Sequence, residues 1–125
     1  MRVYIYACDN IYGGLHGMED YGIFEVANMH EADAIGEEMS RGVVDSYSQI
    51  MESIEEDCAY YVEHDGFEES SSEWEGIMEQ LIAEDLNWSV CEIDEDRVNG
   101  MTDEELETEA SNLGFESFVK RYCKE

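Results

Sequence analysis

Residues 30–63, HEADAIGEEMSRGVVDSYSQIMESIEEDCAYYVE, place apolar or small side chains at Ala32, Ile35, Met39, Val43, Tyr47, Ile50, Ile54, Cys58 and Tyr61. The steps are three or four residues throughout, which is the period of a helix and not of a strand. Asp33, Glu37, Glu38, Asp45, Glu52, Glu55, Glu56 and Glu63 fill the remaining face, and Arg41 is the one full positive charge. The spacing predicts a single long amphipathic helix with an acidic outer face. Asn28, with Glu31 three residues on, supplies its N-terminal cap, and His64-Asp65-Gly66 supplies a stop. At 1.5 Å per residue such a helix measures about 50 Å. A domain of this chain length has a radius of gyration of about 14 Å. Either the helix breaks, most readily at Ser40-Arg41-Gly42, or its distal half is covered by another element. Gly36 and Gly42 lie in its interior and each costs about 1 kcal/mol relative to Ala. We take the helix as unbroken.

Upstream, Arg2 to Cys8 is β-branched and aromatic and reads as a strand, central in its sheet or tied down by a neighbour. A Gly-rich loop from Asp9 to Asp20 leads to a second strand, Tyr21 to Ala27, in which Ile23 and Glu25 share one face and Phe24 and Val26 the other. The two strands can pair as a wide antiparallel hairpin. Downstream, Ser72 caps a helix to Asp85 whose apolar face is Trp74, Ile77, Met78, Leu81 and Ile82. This helix is expected to pack antiparallel on the long one. Asn87 to Ile93 reads as a third strand. Thr102-Asp103-Glu104-Glu105 is a capping box that opens another helix, Gly114 ends it, and Phe115 to Tyr122 forms a last short helix. The order ββααβαα predicts an α+β fold: one domain over residues 1–125, with a small three-stranded, mainly antiparallel sheet covered by helices on one side.

The chain has 125 residues, 33 of them acidic and 6 basic, for a formal net charge of −27. A hydrophobic fraction of 43% and the two Trp, eight Tyr and four Phe argue for a folded domain and not an acidic tail. Between Gly42 and Asp96 there are 18 carboxylates and no Lys or Arg. Charge of this density makes nucleic acid and anionic membranes poor partners and a basic protein surface a good one. No apolar run reaches the roughly 18 residues of a membrane span. The N-terminus reads as a strand and not as a signal peptide, so a cytoplasmic location is expected. Cys8, Cys58, Cys91 and Cys123 lack the spacing of a zinc or redox motif and read as free thiols, the first three in apolar patterns.

Catalytic and metal motifs fail on spacing. Counted from Asp94, an EF-hand-like loop has Val98 at the fifth position, Asn99 at the sixth and Gly100 at the seventh, one residue out of register, although Glu105 falls at the twelfth. His16, His30 and His64 are scattered. Cys58 and His64 do not make a nucleophile pair while Cys58 sits on the apolar stripe. The loop Ile11 to Gly17 lacks the Lys of a phosphate loop and does not run into a helix. No catalytic residue, cofactor or metal site is expected.

Val3-Tyr4-Ile5-Tyr6-Ala7-Cys8, followed by Asn10-Ile11-Tyr12-Gly13-Gly14-Leu15-His16-Gly17, resembles the opening of the ArdA-type antirestriction proteins. Tyr61-Val62-Glu63-His64-Asp65-Gly66-Phe67 is similar to a second region of the same family. The resemblance covers about 25 residues and implies a DNA mimic. Such a protein occupies the DNA groove of a restriction–modification enzyme through surface carboxylates, without catalysis.

The expected partner-binding face comprises Glu37, Glu38, Asp45, Glu52, Glu55, Glu56, Glu63, Glu68, Glu69, Glu73, Asp94, Glu95 and Asp96. The expected partner is a basic nucleic-acid-binding protein, a restriction–modification or CRISPR effector, met by a phage or mobile-element inhibitor. An acidic adaptor with a non-nuclease partner is the alternative. Lys120, Arg121 and Lys124 hold three of the six basic charges and point to an acidic patch within the fold or on a second copy, as in a homodimer.

Overall fold

A computed structural model describes residues 1–9, 19–46, 48–65 and 72–124. Strand β1 (Arg2–Asp9) is flanked by β2 (Glu19–Glu25) and β3 (Leu86–Glu92) in a sheet of order β2–β1–β3, antiparallel throughout. Helices α1 (Met29–Ser46), α2 (Ser48–Asp65) and α3 (Ser72–Asp85) precede β3, and α4 (Glu95–Val98), α5 (Asp103–Leu113) and α6 (Phe115–Tyr122) follow it. The α+β class and the central place of β1 agree with the sequence.

The sheet is covered on both faces, not on one. Val3, Ile5, Phe24 and Val90 pack with Ala32, Ile35 and Met39 of α1. On the opposite face Tyr4, Ile23 and Cys91 pack with Leu106, Ala110, Phe118 and Tyr122 of α5 and α6. Successive strand residues point to opposite faces, so a strand sandwiched between helix layers must be apolar at nearly every position. The run from Val3 to Cys8 meets that requirement, and only Tyr6 within it is not fully buried.

Helix α1 passes through Ser40, Arg41 and Gly42 without interruption. Its buried line is Ala32, Gly36, Ser40, Val43 and Val44, which brings small residues against the sheet. A Cβ on Gly36 would lie 2.3 Å from Cδ1 of Trp88, so the glycine makes room for the indole. The Trp88 ring nitrogen donates to Asp33 at 3.3 Å. Ser40 is fully buried; its hydroxyl donates to the Cys8 carbonyl at 2.6 Å and accepts from the Asn87 amide at 2.8 Å, tying α1 to β1 and β3 at once. Residues that look like helix weaknesses in the sequence are the ones that seat the helix.

Residue 47 lies outside the described residues, and α2 takes up the helical course at Ser48. Val44, Ile50, Ile54 and Cys58 are buried in one cluster. These side chains leave the sheet and pack on Met78 and Ile82 of α3, with Trp74, Ile77 and Leu81 alongside. Cys58 approaches the Trp74 carbonyl at 3.8 Å, the antiparallel arrangement expected for the pair. The distal half is therefore covered by a second helix, and α2 with α3 forms an arm built on the sheet-centred body. The stripe does not reach the end of α2: Tyr61 is exposed, as is Tyr60 beside it.

The caps follow their sequence signals. Asn28 accepts from the Glu31 amide at 2.9 Å while Glu31 accepts from the Ala27 amide at 3.0 Å. Thr102 and Glu105 form the reciprocal capping box of α5. After β3 the chain forms the single-turn helix α4, capped by Asp94. No helix among the described residues is long and apolar enough to cross a membrane.

Candidate partner-binding surface

The expected acidic residues separate into two groups. Glu38 and Asp45 on α1 and Glu52, Glu56 and Glu63 on α2 are all exposed. Within each helix the spacing of seven or four residues keeps them near one line opposite the buried side chains, about 10.5 Å apart where the step is seven. Glu37 and Glu55 lie beside this line, and Glu37 is 3.9 Å from Arg41. Glu73 opens α3 on the arm. Glu68 and Glu69, with the Gly-rich loop and Gly66-Phe67 of the family resemblance, lie outside the described residues.

Asp94, Glu95 and Asp96 do not join the arm. Glu95 receives a bidentate pair of hydrogen bonds from the Arg2 guanidinium, both at 2.7 Å, and Arg2 also reaches Asp103 at 3.0 Å and the Met101 carbonyl at 2.7 Å. The hydrogen bonds from Arg2 hold the Glu95 carboxyl below the usual range and in return raise the guanidinium pKa. Asp94 caps α4 and lies 3.5 Å from Arg97. Lys124 pairs with Glu92, within the fold, and feels Asp94 and Asp96 nearby. Arg121 lies over the Tyr122 ring, 5.5 Å from its centre. Arg2, Arg97, Lys120, Arg121 and Lys124 thus gather around α4 and α6, and only Arg41, which reaches Glu79 at 3.2 Å, touches the arm. The adjacency in sequence of Asp94 to Asp96 concealed partners about 90 residues away.

On the arm, Glu52, Glu55, Glu56, Asp57 and Glu63 of α2 and Glu73, Glu75, Glu79 and Glu84 of α3 are exposed. Set along the length of α2, about 27 Å, these nine give roughly one charge per 3 Å. Duplex DNA carries one per about 1.7 Å. The arm reaches about half that density. Carboxylates also cover α5, including Asp103, Glu104, Glu105 and Glu107, so acid is not confined to one side. What distinguishes the arm is the absence of cations.

A groove of about 520 Å³, not anticipated from the sequence, opens where β2 meets α1. Phe24, Ile35, Met39 and Val43 give it an apolar lining, and Glu19, Asp20 and Glu38 add acid. The Tyr6 hydroxyl donates to the Glu19 carboxylate and draws it toward the Tyr4 side of the sheet. The half-buried state of Ile35 and Met39, one step off the sheet-facing line, is what leaves them to the groove. Such a lining suits an apolar side chain flanked by cations.

Among the described residues no group of three or more His, Cys, Asp or Glu is placed to hold a metal ion. No protein family, curated protein or solved structure compared with the chain matches it.

Proposed function

We propose that the protein is an inhibitory binding protein of a phage or mobile element. It presents DNA-like charge to a basic nucleic-acid-binding protein of host defence, of the restriction–modification or CRISPR class, and carries out no catalysis of its own. The observation that carries this reading is the arm, where nine exposed carboxylates stand on two packed helices with no Lys or Arg from Gly42 to Asp96. A DNA-binding groove lined with Lys and Arg is complementary to that surface. The ArdA-like opening segment supports the same reading. Action is expected in the cytoplasm, on protein and not on nucleic acid or membrane.

The test is capture from host lysate at low salt followed by salt-graded elution. Recovery of a nucleic-acid-binding protein that DNA displaces supports mimicry, and affinity should fall steeply with salt. The triple variant E52K/E56K/E63K should weaken capture roughly tenfold or more at low salt. Undiminished capture by that variant, or recovery of no nucleic-acid-binding protein, removes the proposal.

The groove favours a second reading, an acidic adaptor for a non-nuclease partner, because DNA presents no counterpart to an apolar lining. In that case Met39→Glu abolishes capture, the arm variant spares it, and DNA does not compete.

A further inference from the structure

The four cysteines are not equivalent. Cys8 is buried beside Asn87, whose side-chain amide approaches its sulfur at 3.5 Å, and Cys58 is buried between α2 and α3. Cys91 and Cys123 face each other. After α6 the chain turns back along the end of β3. The Asp94 amide donates to the Tyr122 carbonyl at 2.9 Å, the Lys124 amide donates to the Glu92 carbonyl at 2.9 Å, and Ile93 pairs antiparallel with Cys123. Residues 91, 93 and 123 then share one face by the alternation of strands, and Cys91 and Cys123 are diagonal neighbours on it. Both pack in the cluster around Tyr4, Ile93 and Phe118. Their thiols are close enough to influence each other's ionisation. Cys123 is 1% exposed, whereas Cys91 is only half-buried.

We propose that Cys91 and Cys123 form an oxidative modification site, a dithiol that reacts with a low-molecular-weight disulfide to cross-link the end of α6 to β3. The Cys91 thiolate attacks one sulfur of the reagent disulfide, forming a mixed disulfide and expelling one thiolate. The Cys123 thiolate then attacks the Cys91 sulfur and expels the second. The protein loses two protons and two electrons, and the reagent becomes two thiols. Cys91 is the entry point because reagent reaches it, and Cys123 is the resolving thiol because only a neighbour does. Proximity to Cys123 lowers the Cys91 thiol pKa against the effect of burial and raises that of Cys123, which favours Cys91 as the thiol that attacks first.

The experiment is incubation of the folded chain with oxidised glutathione, followed by intact mass measurement and non-reducing peptide mapping. The expected product has lost the mass of two hydrogen atoms, carries no glutathione, and contains one linked peptide joining Cys91 to Cys123. In Cys123→Ser a glutathione adduct should persist on Cys91. In Cys91→Ser no adduct should form at Cys123. The cross-link closes a loop of about 30 residues and should raise Tm by about 5 °C or more. A persistent adduct on Cys91 of the unaltered chain overturns the proposal. So does a linkage through Cys8 or Cys58, or a cross-link that lowers Tm. If both serine variants fail to fold, the double variant C8S/C58S keeps the pair and should give the same cross-linked product; an unreacted pair there counts against it.

Discussion

β1 is buried on both faces, between α1 on one side and α5 and α6 on the other, whereas α2 buries one stripe against a single neighbouring helix. The body also holds five of the six basic residues if Arg41 is assigned to the junction with the arm. Three of these, Arg2, Arg97 and Lys124, are engaged by Glu92, Asp94, Glu95 and Asp103. The arm has the same acidic character without that neutralisation, so self-repulsion acts on the region with less apolar cover. The acid of the two parts thus differs in its surroundings: in the body part of it is tied to nearby cations, while in the arm Arg41 reaches Glu79 and α2 and α3 carry no Lys or Arg of their own.

The comparison is broken most directly from the body. Phe118 is fully buried, with its ring 4.5 Å from that of Tyr4 and 5.1 Å from that of Tyr122. Phe118→Ala should cost about 3–5 kcal/mol and lower Tm for the whole molecule, read by calorimetry. Ile54→Ala, in the arm core, should cost about 2–4 kcal/mol. Hydrogen exchange should show its effect confined to α2 and α3, with β1 amides still protected. Equal loss of protection in β1 would show that arm and body are one cooperative unit. Raising the salt concentration from about 0.01 M to about 1 M shortens the screening length from about 30 Å to about 3 Å, and should increase protection in the arm more than in the body.

The two interior glycines of α1 sharpen the contrast on a smaller scale. Gly36→Ala drives a methyl group into Trp88 and should cost about 1–3 kcal/mol with a change in tryptophan emission. A Cβ on Gly42 meets nothing within 4 Å, so Gly42→Ala should stabilise by about 0.5–1 kcal/mol. A modest effect is also expected at Arg2, whose partners Glu95 and Asp103 are more than half exposed. Arg2→Ala should cost about 1–2 kcal/mol. The Glu95 carboxyl is held low in the folded chain. Its contribution is therefore complete above the unfolded Glu value of about 4.3 and is lost as pH falls through the lower folded one. Arg2→Ala should flatten that acid-side decline in a urea titration repeated at several pH values.

Much of the fold was legible in local signals. The capping box at Thr102, the stop at Gly114 and the apolar spacing from Trp74 to Ile82 placed α5, α6 and α3 at their observed bounds. The third strand, read at Asn87 to Ile93, stands at Leu86–Glu92, with Val90 and Cys91 on opposite faces of the sheet. What failed depended on distant partners. Gly36 and Ser40 read as weak points of an unbroken helix, and their use appears only once Trp88, Cys8 and Asn87 stand beside them. The one-turn α4 is too short for a period to show. The sequence grouped Asp94, Glu95 and Asp96 with the acidic face and held no sign that Arg2, at the other end of the sequence, pairs with Glu95. The groove is formed by β2 and α1 together and had no signal within either. The two-sided cover of β1 was readable in its unbroken apolar run, and the alternation in its neighbours drew the expectation toward one side.

α3 ends at Asp85 and β3 begins at Leu86 with no residue between them. A helix joined directly to a strand behaves as a lever hinged on the sheet. Torque applied to the outer end of the arm by a bound partner passes through Asp85 to β3, and Trp88 sits three residues along that strand, wedged over Gly36. Engagement of the arm would be reported as a shift in indole fluorescence at the far end of the linkage.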